Sequence, residues 1–336
     1  MSNIHPGLPL IDLHRHLDGS VRLQTILDLG RQHNLPLPAW DLDTLRPHVQ
    51  VADIQPNIME FIARFKWMVG VMVDYDAVER IAYENILDAH AEGIDYIELR
   101  FSPAFMATGH ELDPAEICAA VAAGVQRGVA DTGVQANLIG IISRHFGAEQ
   151  GMQELNALLT HRDRFVALDL AGDEGRYPGS LFVEHFRLAR EAGWHITVHA
   201  GEAAGAESIW QAVRDLGATR IGHGVRAMDD PALVAYLAEH RIGIEANLTS
   251  NVQTSTVPSY AAHPLKAQLE AGILATINSD DPGISAITLP YEYDVAAPRA
   301  GLSLAQIHQA QQNALELAFL PPAAKAALLQ AKEAQK

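Results

Sequence analysis

The sequence predicts an α/β fold, a (β/α)8 TIM barrel with a helical insertion after strand 1, and three observations carry that expectation. Short apolar runs recur eight times. Helical patterns fill most of the gaps between them. The residues best suited to metal or acid–base chemistry fall at the ends of those runs, where a barrel gathers its active site. Strand and helix alternating in this way mark a parallel barrel rather than a sandwich or a bundle. An open doubly wound sheet reads similarly and is the nearest alternative.

In chain order the runs are Leu8–Leu13, Tyr96–Phe101, Ala136–Ile142, Val166–Leu170, His195–Val198, Thr219–Gly222, Ile242–Ala246 and Ile273–Ile277. Each is short, rich in Val, Ile and Leu, and bounded by turn or helix signals, as strands buried on both faces are. Between them lie helical patterns over Asp113–Thr132, Gly151–Arg162, Ser180–Ala192, Ala206–Leu216, Pro231–Glu239 and Pro264–Ala271. The first interval is much longer, about 80 residues, and holds helical segments at Leu23–Gln32, Asn57–Val71 and Tyr75–Glu92. Ile58, Ile62, Phe65 and Val69 share one face of the middle segment. That stripe is either core or an apolar lid above the strand ends. An Ala- and Lys-rich terminal helix follows Pro321. No linker or low-complexity stretch divides the chain, so one domain over residues 1–336 is expected.

Composition narrows the function. A 48% hydrophobic content supports a sizeable core. The net charge of −17 excludes the basic surface that nucleic acid or anionic lipid demands. Small neutral or cationic substrates remain. Cys118 is the sole cysteine, which rules out an intramolecular disulfide and a thiolate metal cluster. The first eight residues lack a secretory pattern, and no apolar run approaches the ~18 residues of a membrane span. A cytoplasmic protein is expected.

His14-Arg-His16 follows the first run, and residues two apart on a strand point to one side. Two imidazoles there can bind one ion. The spacing alone is weak evidence, since 16 histidines in 336 positions supply roughly 0.7 such pairs by chance. His199 ends the fifth run and begins His199-Ala-Gly-Glu202. His223 closes the sixth between two glycines, and Asn278-Ser-Asp-Asp-Pro-Gly283 follows the eighth. Each alone reads more readily as a turn than as a ligand. Together they place His14, His16, His199, His223, Asp280 and Asp281 at the C-terminal ends of four different strands, which a barrel brings into one ring. Nitrogen and oxygen ligands of this kind suit zinc, with iron, cobalt and manganese open. Glu202 is the carboxylate beside His199 in sequence, and Glu174 competes with it for an acid's role.

At these residues the chain resembles the adenosine deaminase family, most of all its bacterial members. The matching segments are Leu13-His-Arg-His-Leu-Asp-Gly19, Ala167-Leu-Asp-Leu-Ala-Gly-Asp-Glu174, Val198-His-Ala-Gly-Glu202, Arg220-Ile-Gly-His-Gly224, Asn247-Leu-Thr-Ser-Asn251 and Asn278-Ser-Asp-Asp-Pro282. The resemblance implies one Zn2+ held by His14, His16, His199 and Asp280, activating a water that attacks C6 of a purine nucleoside. It implies that Glu202 protonates N1 and that His223 orients the water. Asp281 would bond N7, the Gly172 N–H would reach N3, and Asp18 would hold the ribose 5′-hydroxyl. The implied reaction converts adenosine, and 2′-deoxyadenosine, to inosines and ammonia in purine salvage. Oligomeric state stays open.

Three other readings compete. A related deaminase would act on adenine, a nucleotide or a modified adenine nucleoside; Asp18 repels a 5′-phosphate, and only Arg15 and Arg22 lie near enough to offset it. A non-catalytic nucleoside-binding protein would not need the acid. A two-metal hydrolase would want a lysine on a middle strand, and neither Ala136–Ile142 nor Val166–Leu170 has one.

Overall fold

The computed structural model describes residues 2–56 and 58–334. Eight strands form one parallel sheet in strict chain order: β1 (Ile11–His16), β2 (Tyr96–Phe101), β3 (Gln135–Ser143), β4 (Phe165–Ala171), β5 (His195–Ala200), β6 (Arg220–His223), β7 (Gly243–Ala246) and β8 (Ala275–Ile277). The sheet closes where the end of β1 meets the segment after β8. The His16 N–H donates to the Asp280 carbonyl at 2.8 Å, and the Asp280 N–H donates to the His14 carbonyl at 2.8 Å. The barrel is therefore stitched shut by three of the expected site residues.

The first strand runs Ile11–His16 rather than Leu8–Leu13, so the histidine pair lies in the strand and not after it. Apolar content misplaced that boundary, because inward-facing residues near the rim are polar. The register between β1 and β2 also slips by one residue between Asp12 and Arg15. This bulge turns Arg15 outward to Asp12 and Glu92 while His14 and His16 stay on the inner side. The remaining strands lie where expected to within a few residues at each end.

The helices carry ordinary start and stop chemistry. Helix Pro114–Thr132 begins with Asp113 accepting the Ala115 N–H and a proline in its first turn, and ends on Gly133 in the left-handed region. Helix Leu304–Leu317, which the apolar pattern did not reveal, starts with a capping box between Ser303 and Gln306.

The insertion after β1 contains α1 (Leu23–Gln32), α2 (Leu42–Val49), α3 (Ile58–Ile62), α4 (Phe65–Val69) and α5 (Tyr75–Ala91). The single helix expected over Asn57–Val71 is two short helices, and Asn57 itself lies outside the described residues. The second piece starts after Arg64 and is closed by Gly70. Phe65 and Val69 are buried, while Phe61, Ile62 and Phe65 line the cavity above the strand ends. Over Ile62, Phe65 and Val69 the stripe is thus part core and part roof, and the Ile58 side chain lies outside the described residues.

The barrel interior is not apolar. Strand alternation sends Ile97, Leu99 and Phe101 to the surrounding helices and Glu98 and Arg100 to the axis. Arg100 bonds Asp169 and Glu245, each at 2.8 Å, and Arg220 bonds Glu245 at 2.7 Å and also Glu98. All five are at most 1% exposed.

Candidate active site

Above this charged layer, β1, β5 and the segment after β8 aim donors at one point. His14 Nε2 lies 3.1 Å from His199 Nε2 and 3.2 Å from Asp280 Oδ1. His16 Nε2 lies 3.2 Å from His199 Nε2 and 3.4 Å from Asp280 Oδ1. Four ligands at ~2.0–2.1 Å from a tetrahedral zinc ion stand about 3.3 Å apart, so this spacing fits a metal.

The hydrogen bonds behind the rings agree. His14 Nδ1 faces Glu245 Oε2 at 2.7 Å, and His199 Nδ1 faces Asp169 Oδ2 at 3.0 Å. A carboxylate there accepts a hydrogen bond from Nδ1–H, which keeps the proton on that nitrogen and leaves the Nε2 lone pair for an ion. Two such lone pairs 3.1 Å apart make no hydrogen bond with each other. Burial lowers the pKa of His16 and of His199, which favours the neutral imidazole that ligation needs. His14 goes the other way: burial and Arg100 would lower it, yet Asp280 and Glu245 hold it up. Those carboxylates favour positive charge at this spot, whether a proton or a cation. Burial works against the Asp280 charge, but His223 and His14 hold its pKa well below the usual range.

His223 also brings a nitrogen near, so that His14, His199, His223 and Asp280 offer atoms within 4.8 Å of one another. Its Nε2 stands further back, 3.7 Å from Glu202 Oε2 and 3.9 Å from Asp280 Oδ2. Its Nδ1 meets the Asn251 amide nitrogen at 2.9 Å rather than a carboxylate. His16 completes the tighter set.

His16, His199, His223 and Asp280 line one cavity of ≈ 350 Å³ that also holds Asp18, Gly172, Glu202 and Asp281. His14 is fully buried against them. All nine residues expected from the sequence are therefore brought together. Burial first, and then the charges of Asp280 and Glu174, push the Glu202 pKa well above the usual value, against Arg144. A carboxyl that keeps its proton near neutral pH can give it away. Burial and Asp280 likewise push Asp281 well up, and burial takes Asp18 to about 7. Asp18 Oδ1 and Asp281 Oδ1 are buried with no hydrogen-bond partner among the described residues. The cost of stranding them is a reason to expect a ligand's polar atoms there. Gly19 makes room: a Cβ at that position would lie 1.7 Å from Asp281 Oδ1. His223 and Asp280 both hold φ near +60° (63° and 62°), a conformation that costs a non-glycine residue about 1–3 kcal/mol and tends to be kept where side-chain aim matters.

Glu174 does not compete with Glu202. Its carboxylate accepts the N–H groups of Gly201, Glu202, Ala203 and Ala204, at 2.7, 3.1, 2.8 and 3.0 Å. It holds the turn that carries Glu202, a role sequence reasoning missed. Glu245 and Asp169 were missed too, although a charged residue inside an apolar strand was a signal in both places.

A family model described as Adenosine deaminase matches residues 9–334. An adenosine deaminase of Klebsiella pneumoniae is 60% identical over 327 residues, covering 97% of this chain and 98% of that protein. Among solved structures, an adenine deaminase from Arthrobacter aurescens superposes with a TM-score of 0.88 at 25% identity, covering 98% of both chains. An Arabidopsis N6-mAMP deaminase does so with a TM-score of 0.82 at 26% identity, covering 98% of both.

Proposed function

The chain belongs to the adenosine deaminase family, and on that premise we propose that it hydrolyses adenosine and 2′-deoxyadenosine, with water, to inosine or 2′-deoxyinosine and ammonia at one zinc ion. The observation that carries the proposal is the convergence of His14 and His16 Nε2 on His199 Nε2 and Asp280 Oδ1, at 3.1 to 3.4 Å, beside a cavity lined by Glu202, whose pKa burial pushes well up.

His14, His16, His199 and Asp280 would hold the ion, with Glu245 and Asp169 fixing the His14 and His199 rings from behind. When bound, zinc supplies Lewis acidity that lowers the pKa of a coordinated water to ~7. Glu202 gives its proton to N1 of the purine, which makes C6 electrophilic; the oxygen of water adds there with loss of the ring's aromaticity, and the amino group leaves as ammonia. His223, whose Nε2 lies 3.7 Å from Glu202 Oε2, orients the attacking water and stabilises its developing charge. N7 is an acceptor, so Asp281 must donate to it, and its raised pKa supplies the proton. The Gly172 N–H reaches N3, and Asp18 takes the 5′-hydroxyl.

The substrate class follows from Asp18 and from the roof formed by Phe61, Phe65 and Phe105, whose rings meet edge to face at 6.5 and 5.6 Å. No helix among the described residues is long and apolar enough to cross a membrane. Buried, unpaired Cys118 suits a reducing compartment, and we extend the proposal to a single barrel domain over residues 1–336 in the cytoplasm, serving purine salvage. Ammonia release from adenosine, 2′-deoxyadenosine, adenine and AMP tests the substrate. The two nucleosides should be turned over at comparable kcat/KM, and adenine and AMP at least about 100-fold more slowly, as a site with unmet polar partners discriminates. Preference for adenine or AMP would overturn the reading.

A further inference from the structure

A neutral imidazole donates from only one of its nitrogens, and which one is set by the partner of the other. Behind His223 a chain of hydrogen bonds makes that choice, beginning at a group of fixed polarity. The Leu265 backbone N–H donates to His263 Nδ1 at 3.1 Å. Burial lowers the His263 pKa to about 3, so its ring carries a single proton, which must sit on Nε2. That Nε2–H lies 3.1 Å from Asn251 Oδ1. The Asn251 amide nitrogen is thereby turned to His223 Nδ1, where it donates at 2.9 Å. Asn247 offers a second amide N–H at 3.3 Å. Asn251 is fully buried, and its main chain is pinned by bonds to Asn247 and Val257.

We infer that Asn251 and His263 are positioning residues that set the tautomer of His223, keeping its Nε2–H aimed at the attacking water and withholding that nitrogen from the metal. The contrast with the ligands is direct. Glu245 and Asp169 stand behind Nδ1 of His14 and His199 as acceptors and free Nε2 to ligate. An amide donor stands behind Nδ1 of His223 and does the opposite. The inference rests on the hydrolytic reading for its consequence, but the tautomer can be read without turnover.

Asn251→Asp replaces the donor with an acceptor of the same size. In protein labelled with 15N-histidine, the wild-type His223 ring, assigned with a His223→Gln variant, should carry its proton on Nε2, and Asn251→Asp should move it to Nδ1. With adenosine, Asn251→Asp should lower kcat on the order of 100-fold while KM changes far less. His263→Leu should give a smaller loss in kcat, and His263→Gln, which offers an amide N–H to Asn251 in place of the imidazole, should recover most of it. A wild-type His223 protonated on Nδ1 overturns the inference. So does an Asn251→Asp protein with unchanged kcat, or one that loses kcat with the Nε2 proton still in place, which would mark a merely structural role. If wild type fails to deaminate adenosine, the substrate reading falls, and the NMR result still decides the tautomer.

Discussion

In the middle of the barrel, Arg100, Arg220, Glu98, Glu245 and Asp169 are buried and answer one another, two guanidinium groups set among three carboxylates. At the rim above, His14, His16, His199, Asp280, Asp18, Asp281 and Glu202 are nearly as enclosed, but their carboxyl groups meet imidazoles at most and have no guanidinium partner among the described residues. Their donors and acceptors point into a shared space, and two carboxylate oxygens there have no partner among the described residues. The lower layer is satisfied by the protein itself, whereas the upper one is arranged to be satisfied by an ion and a substrate. Glu245 and Asp169 belong to both, since each bonds an arginine below and an imidazole above. The site's rigidity is therefore borrowed from the layer beneath.

The comparison can be broken first at the rim. Glu202→Gln keeps shape and removes the acid, so kcat for adenosine should fall on the order of 1000-fold with metal content unchanged; steady-state rates beside metal analysis would check this. Glu245→Gln tests the shared layer. It leaves Arg100 and Arg220 short of a countercharge, which should cost about 3–5 kcal/mol in denaturant unfolding. It should also weaken metal affinity about 10- to 100-fold through His14. A rim that depended on its own packing alone would lose stability without losing metal.

Glu292 belongs to neither class and sharpens the distinction. It is fully buried and accepts hydrogen bonds from Thr249, but no cation pairs with it among the described residues, and burial takes its pKa from 4.5 to about 8. Below pH 4.5 the folded and unfolded chains both hold this proton. Between 4.5 and about 8 the unfolded chain releases it while the folded chain keeps it, so stability falls as pH rises through that window and the deficit is constant above it. Glu292→Gln should remove that slope and be more stable than wild type at about pH 8.5 by a few kcal/mol, since each tenfold change in proton affinity is worth about 1.4 kcal/mol. Thermal melts of both proteins from about pH 5 to 9 would show whether the curves diverge. The smallest effect is expected at Asp18, where Asp18→Asn should raise KM for adenosine about tenfold, as loss of a charged hydrogen bond does, and leave the weak activity on free adenine alone.

Much of this was legible in the sequence, and particular residues show why the rest was not. The strand period, and histidines at the ends of separate strands, sufficed for the barrel and for the ring of His14, His16, His199, His223 and Asp280. The six matching segments supplied the roles. What failed was anything depending on which way a charged side chain turns. Arg100 and Glu98 sit in an apolar run and read as strand residues, yet they form the interior of the barrel. Glu174 looked like a second acid because its competition with Glu202 is settled by four backbone N–H groups that no pattern displays. The end of β1 was misplaced because His14, Arg15 and His16 are polar residues that still belong to the strand, and apolar content does not track the ladder. Asn251 lay inside a matching segment without a role until His263, twelve residues on, was placed beside it.

The claim on which everything else depends is that the rim donors hold one metal ion that hydrolysis needs. The direct measurement is ammonia release from adenosine by protein with a stoichiometric metal content, repeated after chelation and after zinc is restored. Chelated protein should lose at least about 1000-fold of its rate, and one equivalent of zinc per chain should return it. Full deamination by metal-free protein would contradict the account.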